Sequence, residues 1–342
     1  MFEAKKRITI AIAVLLIGLG VSQRAGAQQS IQYTQYIFNS MSVNPAYTGY
    51  KEQWFAQMAL RSQWVGLDGA PKTGSVSIDG VVDPEHKRHG VGVQINADKL
   101  GAQSATSIFA NYALRLRVDD EDTRRLSLGI AGGVTQYSLN GNKLQAVDPT
   151  DPTLPIGNIN SWRPDVRLGI YYYQHNWYAG LALQDLFSGS DSGSDYVFNS
   201  TTLESIRHRM SLYFIGGMLF EPDEGLYIRP SLLIKDDFKG PTSLDLNAMF
   251  IFQGRFWAGG GYRTRARVFD REYNASSAAK LSATNSFSLI AQFYVTDNLR
   301  VGYSYDHALG KMSNLQNGTH EVTLGYTFGG ELLKNIMNPR FF

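Results

Sequence analysis

The chain has 342 residues and no cysteine. A disulfide framework and any thiolate-bound metal site are thereby excluded. It also lacks an excess of either charge: 32 Lys and Arg stand against 30 Asp and Glu. Net charge therefore gives no reason to expect a nucleic-acid partner. Histidines are few, and only His86 and His89 are close together, in a predicted turn with no third ligand. That pair reads as surface rather than as a metal site. After residue 27 there is no apolar run of about 18 residues, the least that a membrane helix needs. A membrane form of the chain must then be a closed β-barrel, since only helices and closed barrels satisfy every backbone group in lipid.

The N-terminus carries the one long apolar stretch. Lys5 to Arg7 form a basic patch, Ile8 to Val21 an apolar core, and "AGAQ" a small-residue cleavage site after about Ala27. Residues 1–27 read as a cleaved signal peptide, which places the mature protein outside the cytoplasm.

Alternation dominates the chain from residue 53 onward. "HGVGVQINAD" sets Val91, Val93 and Ile95 against Gly92, Gln94 and Asn96, and "HEVTLGYTF" sets Val322, Leu324, Tyr326 and Phe328 against Glu321, Thr323, Gly325 and Thr327. This is the period of a strand with one apolar face. The pattern predicts about fourteen strands, near 53–61, 73–81, 89–98, 102–117, 124–139, 164–173, 176–184, 207–220, 225–236, 242–253, 255–265, 285–296, 298–306 and 320–328. Connections after the even strands are short ("VDPEHKR", "VDDEDT", "QH", "EPDE", "QG", "TD"). Most of those after the odd strands are long. Sorting of this kind is the layout of an outer-membrane barrel. Trp54, Trp177, Tyr227, Phe256, Phe220, Phe252, Phe293 and Phe328 fall at the short-turn ends, where an interfacial girdle belongs. The expected fold is an all-β, antiparallel, up-and-down transmembrane barrel over residues 53–328. A periplasmic or plugging segment (28–52) precedes it, and a periplasmic tail (329–342) comes after it.

Charges fall on the polar parity of the strands. Arg61, Arg115, Arg117, Arg167, Arg209, Arg229, Lys235, Arg263, Arg265 and Arg300 share it with Asp79, Asp245 and Asp306. This basic face has two readings: an anion-favouring pore, or arginines tied structurally to acids, backbone or a plug. No catalytic, cofactor-binding or metal-binding residue can be assigned. "DPTDPT" (Asp148 to Thr153) lacks the spacing of a calcium loop. The residues His320, Ser304 and Asp306 lack a nucleophile motif.

The stretch "SIQYTQYIFNSMSVNPAYTGY" (Ser30 to Tyr50) holds five aromatics and almost no charge. Aromatics of this number need burial, either in the lower lumen or against a partner at the periplasmic rim. The stretch resembles the opening of the PorP/SprF family of type IX secretion proteins, whose Asn-Pro-Ala-Tyr-x-Gly element is here Asn44, Pro45, Ala46, Tyr47 and Gly49. Arg61, Gln63 and Trp64 are similar to that family's Arg-x-Gln-Trp element. "VGYSYDHALGKMSNLQNGTHEVTLGYTF", with Tyr305, Asp306, His320 and Glu321, looks like its closing block. The resemblance implies an outer-membrane barrel in the type IX machinery of Bacteroidota-type bacteria. Such a barrel supports secretion or surface attachment of particular cargo, including gliding adhesins. Its implied partners are outer-membrane lipid, other secretion components, a cargo protein's C-terminal signal domain, and periplasmic ring or peptidoglycan-linking proteins. A passive porin is the alternative. Tyr196, Phe198, Phe269 and Tyr273, on long loops, are candidate cargo-facing residues.

Overall fold

The computed structural model describes residues 31–144, 155, 157–187, 196–198, 201–203, 209–238, 242–266 and 285–328. The expected signal peptide, the C-terminal tail, the "DPTDPT" stretch, Phe269 and Tyr273 lie outside these residues.

Each strand exists because one parity is apolar and the other polar or small. The strands are β1 (Phe55–Ser62), β2 (Lys72–Val81), β3 (His89–Leu100), β4 (Gln103–Arg117), β5 (Arg125–Asn140), β6 (Asn158–Tyr173) and β7 (Trp177–Gln184). They continue as β8 (Ser211–Met218, resuming after Leu219 as Phe220–Asp223), β9 (Leu226–Asp236) and β10 (Thr242–Phe252). The last four are β11 (Phe256–Ala266), β12 (Ser286–Tyr294), β13 (Leu299–Ala308) and β14 (Thr319–Thr327). Every strand pairs antiparallel with its neighbours in sequence. β14 returns to β1 in a register that runs from Phe55↔Thr327 to Ser62↔His320. The sheet is closed, so no edge is left unpaired. A separate short hairpin pairs Tyr196–Phe198 with Thr201–Leu203.

The barrel inverts the burial of a soluble domain. Leu60, Val76, Ile95, Ile108, Ile130, Ile170, Leu181, Leu246 and Leu289 point outward and are exposed. Gln57, Arg61, Ser77, Asp79, Gln94, Asn111, Arg229, Asp245 and Glu321 point inward and are buried. An apolar outer band around a polar interior is what lipid demands of a barrel. Trp54, Phe220, Phe252, Phe256, Phe293 and Phe328 are exposed at the short-turn end, as the girdle requires. Tyr227 corrects that expectation: it is buried, on the inward parity it shares with Arg229.

Two strands differ from the pattern in extent. β6 begins at Asn158 rather than near 164 and pairs with β5 along its whole length. "NINSWR" has no apolar alternation to mark it; its Ile159 alone joins Tyr137, Leu139 and Leu144 in a small apolar cluster at this end of the hairpin. β8 is interrupted at Leu219, whose N–H donates to the carbonyl of Asn176; its register against β9 holds across this gap and shifts only between Phe220 and Asp223.

Candidate functional site: a filled lumen

Residues 31–52 lie inside the barrel. They form two short 3-10 turns, Ser40–Ser42 and Pro45–Tyr47, joined by irregular chain. Tyr36, Ile37, Phe38, Met41, Tyr47 and Tyr50 are buried together with Tyr171, Tyr178, Tyr213, Met249 and Trp257 of the wall. This is the main apolar cluster of the described protein, and it sits within a polar tube.

The lower end of this plug is set by the Asn-Pro-Ala-Tyr-x-Gly element. Asn44 accepts the N–H of Ala46 at 2.9 Å, capping the turn that Pro45 begins. Its amide donates to the carbonyls of Ile170 and Leu181, at 3.0 and 3.3 Å, across the β6–β7 pair. Such a seat requires a wall without side chains. A Cβ at Gly169 would collide with Oδ1 of Asn44, and one at Gly129 with the backbone of Ala46. Ser127 then donates to the carbonyl of Ala46 at 2.6 Å. Tyr47 stacks on Tyr50 at 4.6 Å, and Tyr50 meets Tyr173 at 4.7 Å. Gly49 adopts φ +73°, a conformation open to glycine, and donates its N–H to Asp79 at 2.8 Å. Glu52 ends the plug at the short-turn rim, 3.1 Å from Arg115 and 2.8 Å from Lys87.

The upper end is polar. Arg61 on β1 bridges Asp306 on β13, at 2.7 Å, and Glu321 on β14, at 2.8 Å. The two oxygens of Glu321 accept the successive N–H groups of Thr34 and Gln35 at 2.8 and 3.0 Å. The Thr34 hydroxyl donates to Asp306 at 2.5 Å and accepts from Arg61 at 2.7 Å. Arg61, Asp306 and Glu321 all sit near the long-loop ends of their strands. The first described residue, Ile31, is there too, accepting from Lys235 at 3.2 Å. The plug therefore starts at the opposite end of the barrel from the periplasmic rim where its sequence position placed it.

Most lumen arginines are engaged. Arg263 pairs with Asp245 at 2.6 Å. Arg300 donates to the Phe38 carbonyl at 2.9 Å and to Gln57 at 2.8 Å, with its guanidinium 5.4 Å from the Phe38 ring. Arg115 donates to Tyr173 at 2.7 Å. Arg167 lies 3.6 Å over the ring of Phe109. Arg229 is buried between Tyr178 and Trp257, and Arg265 is half-buried. Two residues of the expected basic face are not in the lumen. Arg117 is exposed below the rim beside Asp122, and Arg209 is exposed above the start of β8. Parity gives the face of a side chain but not its height.

Cavities of about 40 and 10 Å³ flank the plug. Each has room for a few waters at most. Burial raises the phenols of Tyr33, Tyr36, Tyr47 and Tyr50 above their ordinary range.

The closing block divides between the faces. Asp306 and Glu321 point inward. His320 points outward, with its Nδ1 2.7 Å from the Tyr303 hydroxyl and its ring beside Tyr305. His320 thus does not meet Ser304 or Asp306, which face the lumen. Gln63 and Trp64 hold the link above β1: the N–H of Gln63 donates to Pro71, and that of Trp64, at φ +49°, to Thr319. Sequence reasoning missed Thr34 and Gln35 as partners of the buried charges, for they carry no charge themselves. It also missed the glycine seat, whose residues look like ordinary strand glycines.

Among solved structures the chain is similar to the CymD monoaromatic hydrocarbon channel (TM-score 0.52, 10% identity, 86% of this chain and 93% of that one). It is also similar to the Ralstonia pickettii toluene transporter TbuX (TM-score 0.48, 12% identity, 84% and 92%) and to a Pseudomonas aeruginosa FadL homologue (0.45, 10%, 89% and 96%). At such identities the likeness is one of fold: a closed fourteen-stranded outer-membrane barrel. No curated protein matches the sequence. The model of the type IX secretion system membrane protein family PorP/SprF matches residues 25–326. With that match across nearly the whole barrel and plug, the chain belongs to the PorP/SprF family of type IX secretion system membrane proteins.

Proposed function

We propose that this barrel handles protein rather than solute: it supports secretion or surface attachment of particular cargo, of the gliding-adhesin kind, by engaging the cargo's C-terminal signal domain. The observation that carries this reading is the filled lumen. A pore for small solutes needs a continuous aqueous path. Here Tyr36, Phe38, Tyr47 and Tyr50 occupy the middle of the tube, and inward arginines are tied to acids or to plug carbonyls. Family membership supplies the secretion context. Long loops at the end away from the girdle offer the outward surface for cargo. Charged short turns, such as Val118–Arg124, offer one for periplasmic ring or peptidoglycan-linking partners. On this reading the protein acts through binding, not through catalysis.

Deletion of the gene tests the reading. The expected result is loss of one class of large surface proteins, measured by surface proteomics, with small-solute uptake unchanged. Normal secretion together with reduced uptake of anions would favour a porin instead.

A further inference from the structure

The two ends of the plug are held by different kinds of contact. The lower end interlocks with the wall, with Asn44, Pro45 and Ala46 against glycine backbone, and continues covalently into β1. The upper end, Ile31 to Gln35, is joined to no strand among the described residues. Its main chain is held by four hydrogen bonds: Lys235 to the Ile31 carbonyl, Arg263 to that of Tyr33 at 3.4 Å, and the Thr34 and Gln35 N–H groups to Glu321. Its side chains add the Thr34 hydroxyl between Arg61 and Asp306, and the Gln35 amide, which donates to the Glu321 carbonyl at 3.1 Å and accepts from Thr323 at 2.8 Å. Two successive N–H groups aimed at one carboxylate, with a hydroxyl on the neighbouring acid, form a pattern that another chain could present. The side chains that receive it belong to the barrel wall and stay in place without it, because Arg61 already holds both Asp306 and Glu321.

We propose that Arg61, Asp306 and Glu321 form a peptide-recognition site at the long-loop mouth, whose resting occupant is the chain's own Ile31–Gln35. This short latch leaves without the rest of the plug. The vacated cradle then takes a turn-forming, uncharged, hydroxyl-bearing segment of a protein partner. Tyr36 to Glu52 keep the barrel closed throughout. Identification of the partner as cargo rests on the function proposed above; release of the latch does not. Because the resident latch is tethered, it competes at a high effective concentration. Weakening it is therefore the way to reveal the site.

The chain has no native cysteine, so Ser288→Cys gives a single reporter. Ser288 lies in the lumen beside Thr34 and Asp306. In the full-length barrel in proteoliposomes, maleimide labelling of Ser288→Cys is expected to be about tenfold faster when Thr34→Ala and Gln35→Pro are added, as loss of a tethered occupant implies. Planar-bilayer conductance is expected to be the same in both. If labelling and conductance rise together, the plug leaves as one body and the proposal fails. If neither changes, the latch is a fixed part of the wall and the proposal fails equally.

A fluorescent peptide with the sequence of residues 31–35 supplies the second measurement. It should bind the weakened-latch barrel saturably and lose that binding when Glu321→Gln is added. Faster labelling without peptide binding would overturn the recognition site. Heat-modifiable gel migration, checked for each variant, shows whether the barrel is intact. Normal secretion after gene deletion would remove the cargo reading and leave these results standing.

Discussion

The guanidinium of Arg61 lies 2.8 Å from the carboxylate of Glu321, and the two residues face each other across the strand pair that closes the barrel. One ion pair thus joins the first strand to the last and, through Thr34 and Gln35, both to the plug. Both side chains are almost completely buried. Replacing Arg61 with Met leaves Asp306 and Glu321 without their shared cation. Loss of one partner of a buried pair costs about 3–5 kcal/mol. The variant is expected to unfold at clearly lower denaturant than wild type, measured by tryptophan fluorescence in detergent. Thr34→Ala removes only a neutral hydroxyl and should cost about 1 kcal/mol. Equal effects of the two would count against a charge-centred closure.

The glycine seat gives a second expectation. Gly169→Leu places a side chain where Asn44 now lies, so the Asn-Pro-Ala-Tyr turn is pushed from the wall while β6 keeps its ladder. The barrel should still form, and single-channel recordings should show frequent openings. Leu at Gly132, where an added Cβ meets nothing, is the matched control and should stay closed. Closed recordings from both would mean that the seat does not hold the plug.

Removal of residues 31–52 should convert the protein into a steady channel. The uncovered wall presents nearly matched charge: Arg61, Arg115, Arg125, Arg167, Arg229, Lys235, Arg263 and Arg300 against Asp79, Asp165, Asp185, Asp236, Asp237, Asp245, Asp306 and Glu321. Weak ion selectivity is expected, read as a reversal potential near zero in a salt gradient. Strong preference for anions or for cations would show that one set of charges dominates the open lumen.

The plug tyrosines give a pH test. Burial raises the phenols of Tyr36 and Tyr50, so both stay neutral through the ordinary tyrosine range near about pH 10. A phenol raised in the folded state contributes stability that is fully present below its unfolded pKa and is lost as pH climbs through the folded one. Near-ultraviolet titration of the Tyr36→Phe, Tyr50→Phe double variant should therefore match wild type around pH 10. A smaller phenolate step in the variant would mean that these rings are in water.

Much of this was legible in the sequence. The alternation of Val91, Val93 and Ile95, and the sorted connections, give a closed barrel because lipid allows few other solutions to backbone hydrogen bonding. Parity placed Arg61, Asp306 and Glu321 on the inner face. It did not show that Arg117 and Arg209 lie beyond the lumen, since the height of the rim depends on how strands are staggered around the closed sheet. Tyr227 was expected in the girdle from its place at the short-turn end, against the inward parity it shares with Arg229. The aromatics of Ser30–Tyr50 signalled burial without saying where.

The sequence alone determined the strands, their faces and the need to hide Tyr33, Tyr36, Phe38, Tyr47 and Tyr50, because each of these is a local matter of side-chain period and solvation. Only the tertiary structure decided that the segment fills the lumen with Ile31 at the long-loop end. It also decided that Thr34 and Gln35 satisfy Glu321, and that Gly129 and Gly169 make room for Asn44 to Ala46. Those contacts join residues more than a hundred positions apart in several cases. They exist only once closure of β14 on β1 has fixed the width of the tube and set opposite walls within reach of one short segment.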